Sequence, residues 1–578
     1  MSIDKLIRKW RRLTIAVIAC ISLGFSQTRQ ALEKPADIVL RGGAVYTVSA
    51  ARSWAEAIAI RDGRIVYVGP EDAIGRWTGP RTVVYDLQGK MVLPGFHDSH
   101  VHPVSSGIEL GECNLNEAET EAAILETIGR YAQENPSTPW IRGAGWQLPL
   151  FPDAGPSKSL LDKIVPNRPV FLSAADGHSA WVNSRALELA GITAKTSDPP
   201  RGRIERDPQT GEPTGTLREA ATELVSKHLP AYTAEDYIQG LRRGLEMANR
   251  AGITSLQEAN ASDENILKAY AELDRRNELT ARVAAALYLD PSKGMEQIPR
   301  LVELRKKYRG RRLRANAVKI FVDGVIEAGT AALIEPYLGK GEDRGKANLE
   351  PELLDQLVAA LDREGFQIHI HAIGDRAIRM ALDSFERARA ANGSRNSRHH
   401  IAHLELIAPE DLPRFRRLGV IANFQPLWAY ADTYITKLTI PVLGPARSRW
   451  LYPIASLART GAIVACGSDW SVSSINPLDA IQTAITRRGL EEGPGPAWIA
   501  EETVDLATMI ACYTVNGAYV SFQEAEVGSI EVGKAADLAV IDRNLFDIPV
   551  QEIHKAKVLL TLLAGKEVFR DPAFRAKP

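Results

Sequence analysis

The sequence predicts an α/β protein: a (β/α)8 TIM barrel with a small β-sandwich domain formed from both termini and a large insertion after barrel strand 1. Three observations predict this fold. Short apolar runs alternate with helical periodicity through the centre of the 578-residue chain, both ends are rich in β-type sequence, and one central segment is too long for a single crossover. Repeated β-then-α units favour a parallel sheet closed into a barrel.

The two flanks of the chain have β-type sequence. Residues 36–92 contain short apolar runs separated by glycine turns, and Asp62-Gly63 between two of these runs is a strong hairpin signal. The stretches 528–541 and 558–569 repeat this style near the other end. We therefore predict one sandwich domain made of residues 36–92 plus 525–572.

Eight strand candidates lie in or next to residues 93–524, the region predicted as the barrel. They are Val92–Phe96, Ile253–Gln257, Val283–Leu289, Ala317–Val322, Gln367–His371, His400–Leu404, Val420–Phe424 and Ile463–Gly467. Later segments between them show helical periodicity, as in 353–361 and 377–391. The long segment at about 103–250 is predicted to be an insertion at the barrel mouth, where insertions shape substrate pockets.

The N-terminus has the layout of a secretory signal peptide, predicted over residues 1–26. Basic residues between positions 5 and 12 precede a mostly apolar stretch over 13–25, and Gly24 and Ser26 are small enough for cleavage. The alternative is an uncleaved anchor, although a membrane-spanning helix needs about 20 apolar residues. We expect an exported protein, periplasmic or secreted, without stable membrane association after signal removal.

Charge and cysteine content argue against several classes of partner and site. Lys plus Arg total 70 and Asp plus Glu total 71, a balance that gives no reason to expect nucleic acid. Of the four cysteines, Cys20 lies in the leader, and the other three are widely spaced without a CxxC pair. The sequence therefore predicts neither a disulfide framework nor a thiolate zinc site.

Histidine, lysine and aspartate side chains fall at or near the ends of the predicted barrel strands. His100 and His102 form an H-x-H pair after the first strand, and residues two apart on an extended chain point the same way. Lys319 lies in the fourth strand, where a charge is unfavourable unless it is paired, neutral or modified. The other members end the fifth and sixth strands or follow the eighth: His371, His403 and Asp469. Barrel enzymes place their chemistry at this face, and His/Asp ligation suits Zn²⁺ or a similar divalent metal.

The order of these motifs resembles that of the amidohydrolase superfamily, and more closely its YtcJ-like, N-substituted formamide deformylase-like branch (amidohydrolase family 3). The matching stretches are PGFHDSHVHP (94–103), DGHSAWVNSRAL (176–187), VKIFVDG (318–324), HIHAIGDRA (369–377), GSDWSVSSINPLDAI (467–481) and VGSIEVGKAADLAVID (527–542). The resemblance covers nearly the whole chain after the leader, from about residue 37 to about residue 570.

The resemblance implies a ligand set for one or two divalent metal ions, expected to be Zn²⁺. His100, His102 and Asp469 would bind the first ion, and His371 and His403 would bind the second ion if it is present. A homodimer is also possible, because the family commonly dimerises.

The resemblance further implies that CO2 carboxylates Lys319, which would then bridge the two ions. A buried ion pair of Lys319 with Asp323 or Glu327 is the alternative. The chain departs from the family pattern at Ala402, where an acidic residue is common. This change is expected to affect the surroundings of the metals rather than the ligands.

The implied activity is metal-dependent hydrolysis of a C–N bond in a small molecule: an amide, an N-substituted formamide or a cyclic amide. A bound metal makes water nucleophilic near neutral pH. Asp469 would act as general base and then as general acid, and His403 or His178 could hydrogen-bond the developing oxyanion. Deamination and ester or lactone hydrolysis are alternatives on the same site. A secreted binding or regulatory protein on a decayed barrel is the alternative outside the enzymes.

Other aromatic residues and histidines receive weaker assignments. His178, Trp146 and Trp428 are candidates for the substrate pocket, with plain core packing as the alternative for both tryptophans. His97 and His369 are expected to act structurally or indirectly. At least one of the adjacent pair at 399 and 400 is expected to point away from the site.

Overall fold

The structure is a computed structural model that describes residues 34–493 and 495–575. The predicted signal peptide at 1–26 lies outside the described residues. Among the helices that are described, none is both long enough and apolar enough to cross a bilayer.

Eight parallel strands form the barrel, and each pairs with its neighbours in sequence order. Their bounds are Phe96–Val101, Ile253–Ala261, Arg282–Tyr288, Leu313–Phe321, Gln367–Ala372, His400–His403, Ile421–Phe424 and Val464–Cys466. Most residues of these strands are buried, as expected where helices cover a parallel sheet. The predicted TIM-barrel fold is confirmed.

Hydrogen bonds join the eighth barrel strand to the first. The Asp98 carboxylate accepts a hydrogen bond from the Ser468 backbone N–H at 3.0 Å and another from the Ser468 hydroxyl at 2.5 Å. Next to this pair, the Asp469 N–H donates to the His100 carbonyl at 2.8 Å. Gly467 permits this approach, because a Cβ there would lie 2.5 Å from the His100 backbone nitrogen.

Helices cover the barrel, and two of them match the predicted periodicity. Pro351–Arg363 contains the predicted 353–361, and Asp375–Asn392 contains 377–391. The other described α-helices are Pro103–Glu109, Glu121–Glu134, Lys158–Ile164, Ser184–Ala190, Glu223–Ser226, Ala234–Arg250, Glu264–Arg276, Ile298–Lys307, Leu412–Leu418, Ile440–Leu443, Pro445–Ser448, Ile454–Arg459, Pro477–Thr486, Leu506–Cys512 and Val515–Val520.

The helix before the second barrel strand packs closely against the helix after the first. Ala234–Arg250 begins at a capping box, in which the side chains of Thr233 and Asp236 each accept the other's backbone N–H. Its Gly240 faces Gly107, where a Cβ would lie 1.9 Å from the Gly240 carbonyl oxygen. Two glycines thus let the helix backbones touch beside the strand that carries His100.

Strands from both flanks form two sheets that share one hydrophobic cluster, which includes Leu40, Ile58, Val540 and Leu560. The first sheet contains Ile38–Arg41, Ala57–Arg61, Arg64–Gly69 and Val83–Asp86. The second contains Ala44–Tyr46, Trp54–Ala55, Met91–Pro94, Leu538–Ile541, Val558–Leu563 and Lys566–Arg570. The domain boundaries 36–92 plus 525–572 stay a prediction.

The predicted hairpin turn is present in the first sheet. Asp62 and Gly63 join antiparallel strands in which Arg61 pairs with Arg64. Their φ angles are 51° and 74°, both in the left-handed region that a two-residue type I′ turn requires.

The prediction of Val92–Phe96 as the first barrel strand is wrong. Met91–Pro94 pairs instead with Leu538–Ile541 in the second sheet, and the first barrel strand begins at Phe96. Apolar residues lie on both sides of Pro94-Gly95. The hydrophobic pattern therefore does not show that one strand ends there and another begins.

The segment between the first two barrel strands contains a six-stranded mixed sheet of its own. In sheet order its strands are Gly202–Arg206, Pro213–Glu219, Ser179–Val182, Val170–Ala174, Ile141–Trp146 and Cys113–Asn114. Ser179–Val182 and Pro213–Glu219 are antiparallel neighbours, with Ser179 opposite Arg218. This pairing brings His178 and Glu219 together at the end of the two strands.

We expect Gly467→Ala to destabilise the junction of the eighth and first strands, because its Cβ would lie 2.5 Å from the His100 nitrogen. Overpacking of this kind costs about 1–3 kcal/mol of unfolding free energy. Circular dichroism during heating should show a lower midpoint than for the wild type. Gly75→Ala is the control, since a Cβ at Gly75 meets no atom within 4 Å. Equal midpoints for the two variants would contradict this account of the junction.

Candidate metal centre

The six residues predicted as metal ligands lie together at the C-terminal ends of the barrel strands. They are His100, His102, Lys319, His371, His403 and Asp469, and all except the partly exposed His102 are buried. Each lies in direct contact with at least one other member of the set. This is the face on which TIM-barrel enzymes carry their active sites.

Asp469 is the central member of this group. Its Oδ1 lies 3.0 Å from His102 Nε2 and 3.3 Å from His100 Nε2, and its Oδ2 lies 3.8 Å from His403 Nδ1. Burial acts to raise the pKa of the Asp469 carboxyl, but the three imidazoles outweigh it and hold the pKa well below its usual range. The carboxylate is therefore ionised, as a metal ligand or a proton acceptor must be.

The donor set fits a divalent cation. Ligand atoms of His100, His403 and Asp469 lie within 4.8 Å of one another. His403 Nδ1 is buried without a hydrogen-bond partner, and burial lowers the pKa of this ring well below its usual range. A buried polar atom without a partner is unfavourable, and a neutral imidazole nitrogen is a good zinc ligand. His403 Nδ1 thus has no hydrogen-bond partner among the described residues and lies beside the Asp469 carboxylate and the His100 imidazole, as expected for a metal ligand.

The backbone is constrained at two of these residues. His403 has φ 78° and Asp469 has φ 54°, both in the left-handed region that non-glycine residues rarely adopt. Such conformations cost about 1–3 kcal/mol each and persist where the surroundings impose them. At Asp469 the surroundings include the hydrogen bond from its N–H to the His100 carbonyl.

His369 fixes the orientation of His100, as its expected indirect role requires. His369 Nε2 lies 2.9 Å from His100 Nδ1, so His100 Nε2 remains directed at Asp469 and Lys319. The His369 ring packs against His400, with the ring centroids 4.1 Å apart. A hydrogen bond at one ring nitrogen commonly orients the other nitrogen toward a metal.

Lys319 is buried in the fourth strand and forms no ion pair with any described residue. Its Nζ lies 3.4 Å from His100 Nε2 and 4.7 Å from the centre of the Phe321 ring. The alternative ion pair with Asp323 or Glu327 is wrong, and Asp323 instead accepts three backbone N–H groups at 2.9–3.0 Å. Burial lowers the pKa of the Lys319 amine to about 7.

His371 and His178 complete one side of the site. The His371 ring lies 4.4 Å from the His403 ring and 5.2 Å from the His178 ring, which belongs to the inserted sheet. His178 Nδ1 lies 3.0 Å from Glu219 Oε2. Burial acts to lower the pKa of His178, but Glu219 raises it to about 9. The insertion therefore brings a cationic imidazole to the metal centre.

The two tryptophans predicted for the pocket differ in their placement. Trp428 stacks on His403 with an interplanar angle of 2° and a centroid distance of 5.6 Å. Trp146 is fully buried in the core of the insertion, where its ring packs against Trp181 and its indole N–H donates to the Leu172 carbonyl. Trp146 thus has the core-packing role that was the alternative, and only Trp428 contacts the site.

Two further histidines point away from the centre. His97 Nε2 lies 2.7 Å from the Ser521 hydroxyl, which gives His97 a structural role. His399 Nε2 lies 3.1 Å from Asp362 Oδ1, on the outer side of the sixth strand.

Three acidic residues of the site were missed in the sequence. Glu258, in the second strand, places Oε1 3.7 Å from His102 Nδ1. The other two are Asp98 at the strand junction and Glu219 beside His178. Glu258 could have been found in the sequence, because it directly follows the predicted strand Ile253–Gln257, at the kind of strand end where the other site residues were sought. Glu219 had no such signal, since its partner lies 41 residues away in the chain.

Comparison with known proteins gives several matches over nearly the whole chain. A model of the Amidohydrolase family matches residues 83–569. The chain is 32% identical to Protein LONG AFTER FAR-RED 3 of Arabidopsis thaliana, over 96% of each protein. It is 28% identical to the YtcJ protein of Bacillus subtilis (strain 168), over 92% of this chain and 99% of that protein. It is 29% identical to the N-substituted formamide deformylase of Arthrobacter pascens, over 92% and 97%.

A solved structure is similar in both fold and sequence. The crystal structure of an uncharacterized metal-dependent hydrolase from Pyrococcus horikoshii OT3 aligns with a TM-score of 0.69 and 25% identity. The alignment covers 89% of this chain and 99% of that chain.

We expect His403→Ala to lower the divalent-metal content of the purified protein, because it removes the buried nitrogen that has no other partner. Elemental analysis after zinc loading and dialysis should show less bound metal than in the wild type. His228→Ala is the control, since His228 is exposed. Undiminished metal in His403→Ala would remove His403 from the ligand set.

Proposed function

Because this chain belongs to the YtcJ-like branch of the amidohydrolase family and is a metal-dependent hydrolase, we propose that it cleaves the C–N bond of an amide, an N-substituted formamide or a cyclic amide. The observation that carries the proposal is the ionised Asp469 carboxylate among the imidazoles of His100, His102 and His403. Likeness to an N-substituted formamide deformylase makes formamides the first substrates to test.

The residues available for metal binding divide into two proposed sets, which are in contact where His403 Nδ1 lies 3.8 Å from Asp469 Oδ2. His100, His102 and Asp469 would hold a first ion, which we propose to be Zn²⁺, and His371 and His403 would hold a second. When bound, the metal supplies Lewis acidity and lowers the pKa of water to about 7. Lys319 lies 3.4 Å from His100 Nε2 and has no ion-pair partner among the described residues, as a bridging carbamate formed with CO2 would require.

Asp469 holds and moves the proton in the proposed reaction. Its ionised carboxylate accepts the proton of the attacking water and then donates it to the leaving nitrogen, which cannot depart as an amide anion. His178 or His403 would donate a hydrogen bond to the oxygen that gains negative charge as the carbonyl is attacked. Trp428, stacked on His403, helps to exclude bulk water from this part of the site.

Deamination and ester or lactone hydrolysis are second candidates, because the same nucleophile serves both. The products distinguish these reactions. Deamination releases ammonia, ester hydrolysis releases an alcohol and an acid, and cleavage of an amide releases an amine and formate or another acid. A decayed, non-catalytic barrel is disfavoured, because the ligand positions are all filled by residues that can bind metal. We also propose that the mature protein acts outside the cytoplasm, on the basis of the leader-like residues 5–26.

We expect Asp469→Asn to reduce kcat for an N-substituted formamide by about 10²–10⁴-fold, the usual effect of losing a general acid–base group. The amide keeps the size of the side chain but accepts no proton. The measurement is the release of amine and formate. Asp72→Asn is the control, since Asp72 is exposed and lies in the N-terminal flank, outside the barrel strands. Wild-type kcat in Asp469→Asn would refute its role in proton transfer.

We expect Lys319→Ala to lower the metal content from about two ions per chain to about one, since a two-metal site would lose its bridge. A short carboxylate such as acetate should restore part of the missing metal and activity by replacing the carbamate. Lys195→Ala, an exposed position in the insertion, is the control. If Lys319→Ala retains all its metal, Lys319 is not a bridging ligand.

A further inference from the structure

Two links join His178 and Glu219 at the end of two neighbouring strands of the inserted sheet. The Glu219 N–H donates to the His178 carbonyl at 2.8 Å, and the Glu219 carboxylate lies 3.0 and 3.2 Å from His178 Nδ1. Both side chains are largely buried, with exposed fractions of 16% and 18%. The imidazole is therefore held by backbone and carboxylate together.

The Glu219 carboxylate also contacts the barrel. The Thr330 hydroxyl, on the loop after the fourth barrel strand, donates to Glu219 Oε1 at 2.7 Å. Gly324 leaves the space for this contact, because a Cβ there would lie 2.3 Å from the same oxygen. The Glu219 carboxylate thus contacts both the insertion and the barrel.

The backbone of Glu219 is strained. Its φ of 48° and ψ of −130° are unfavourable for any residue with a Cβ. Strain of this kind persists where the surroundings impose it, and it occurs frequently at functional sites. A glycine would relieve the strain but would lose the carboxylate that binds His178.

The opposite side of His178 faces the metal centre. Its ring centroid lies 5.2 Å from that of His371, which in turn lies 4.4 Å from His403. With Nδ1 on Glu219, the free Nε2 is the nitrogen available to a substrate bound beside these rings.

We propose that Glu219 is a positioning residue: its carboxylate accepts the Nδ1–H of His178 and so directs the Nε2–H of the same ring at the carbonyl oxygen of the substrate. This inference rests on the proposed amide-hydrolase function for its kinetic consequence, but the orientation of His178 does not depend on that function. A hydrogen bond to the developing oxyanion acts in the transition state. Loss of Glu219 therefore lowers kcat more than it changes KM.

A purely structural role for Glu219 predicts a different pattern. Glu219 would then serve only to hold the insertion against the barrel through Thr330. Arg203 provides a second contact of this kind, since its guanidinium donates to the Ala328 carbonyl at 3.1 Å without touching His178. Arg203→Met is thus a matched control that loosens the same junction and leaves the imidazole alone.

The test uses the full-length, zinc-loaded protein labelled with [¹⁵N]histidine. Long-range ¹H–¹⁵N spectra report which ring nitrogen carries the proton, and the signal lost in His178→Gln identifies His178. We expect protons on both ring nitrogens of His178 in the wild type and in Arg203→Met, and a shifted or lost Nδ1–H signal in Glu219→Gln. We expect kcat for an N-substituted formamide to fall about 10–100-fold in Glu219→Gln, with little change in KM, as for other residues that orient catalytic groups.

The outcomes separate this inference from the proposed function. An unchanged His178 signal in Glu219→Gln overturns the positioning role, whatever the activity. An equal fall of kcat in Arg203→Met and Glu219→Gln overturns it as well. If the wild type hydrolyses no amide, the proposed function fails while the spectra still test the orientation. Should Glu219→Gln fail to fold, Glu219→Asp keeps the charge but withdraws the carboxylate from His178 Nδ1, and a His178 signal identical to the wild type there overturns the inference.

Discussion

The hydrogen bonds between Asp98 and Ser468 are the interaction on which the site depends. They join the first barrel strand to the turn after the eighth, residues that are 370 positions apart in the chain. The Asp98 carboxylate also accepts the His100 N–H at 3.1 Å, so one side chain fixes the backbone on both sides of the junction. Because Asp469 follows Ser468 directly, the same contact sets the distance between the carboxylate and the H-x-H imidazoles. Asp98 therefore links metal affinity to barrel stability, although it is not one of the predicted metal ligands.

Burial and neighbouring carboxylates divide the imidazoles of the site into two kinds. Burial lowers the pKa of His100 to about 3, with Lys319 acting in the same direction. For His102, two positions away, burial is outweighed by Asp469 and Glu258, and the pKa rises to about 9. The same opposition operates at His178 through Glu219. The pKa of an identical side chain is thus lowered or raised according to whether burial or the neighbouring carboxylates dominate, and a metal bound at His102 would displace its proton.

Much of the fold and most of the candidate metal ligands could be predicted from the sequence, because barrel strands are short apolar runs whose C-terminal ends converge on one face. The positions of His371, His403 and Asp469 followed from that rule alone. The first strand was misplaced, since two consecutive strands meet at Pro94-Gly95 without a change in hydrophobicity. Trp146 could not be placed either, because an apolar ring fits a core and a pocket equally well. Glu219 reaches His178 only because two strands that are distant in the sequence pair with each other, and local sequence patterns do not predict such a pairing.

The shared sheet at the ends of the chain has a consequence for the order of folding. Met91–Pro94 leads directly into the barrel, yet one of its two neighbours in the sheet is Leu538–Ile541, which in turn pairs with Val558–Leu563. During synthesis the early strands leave the ribosome with one edge unpaired, and they keep that edge until nearly the whole polypeptide has emerged. The base of the strand that carries His100 is therefore completed last, so a nascent chain cannot assemble the finished centre before translation is almost over.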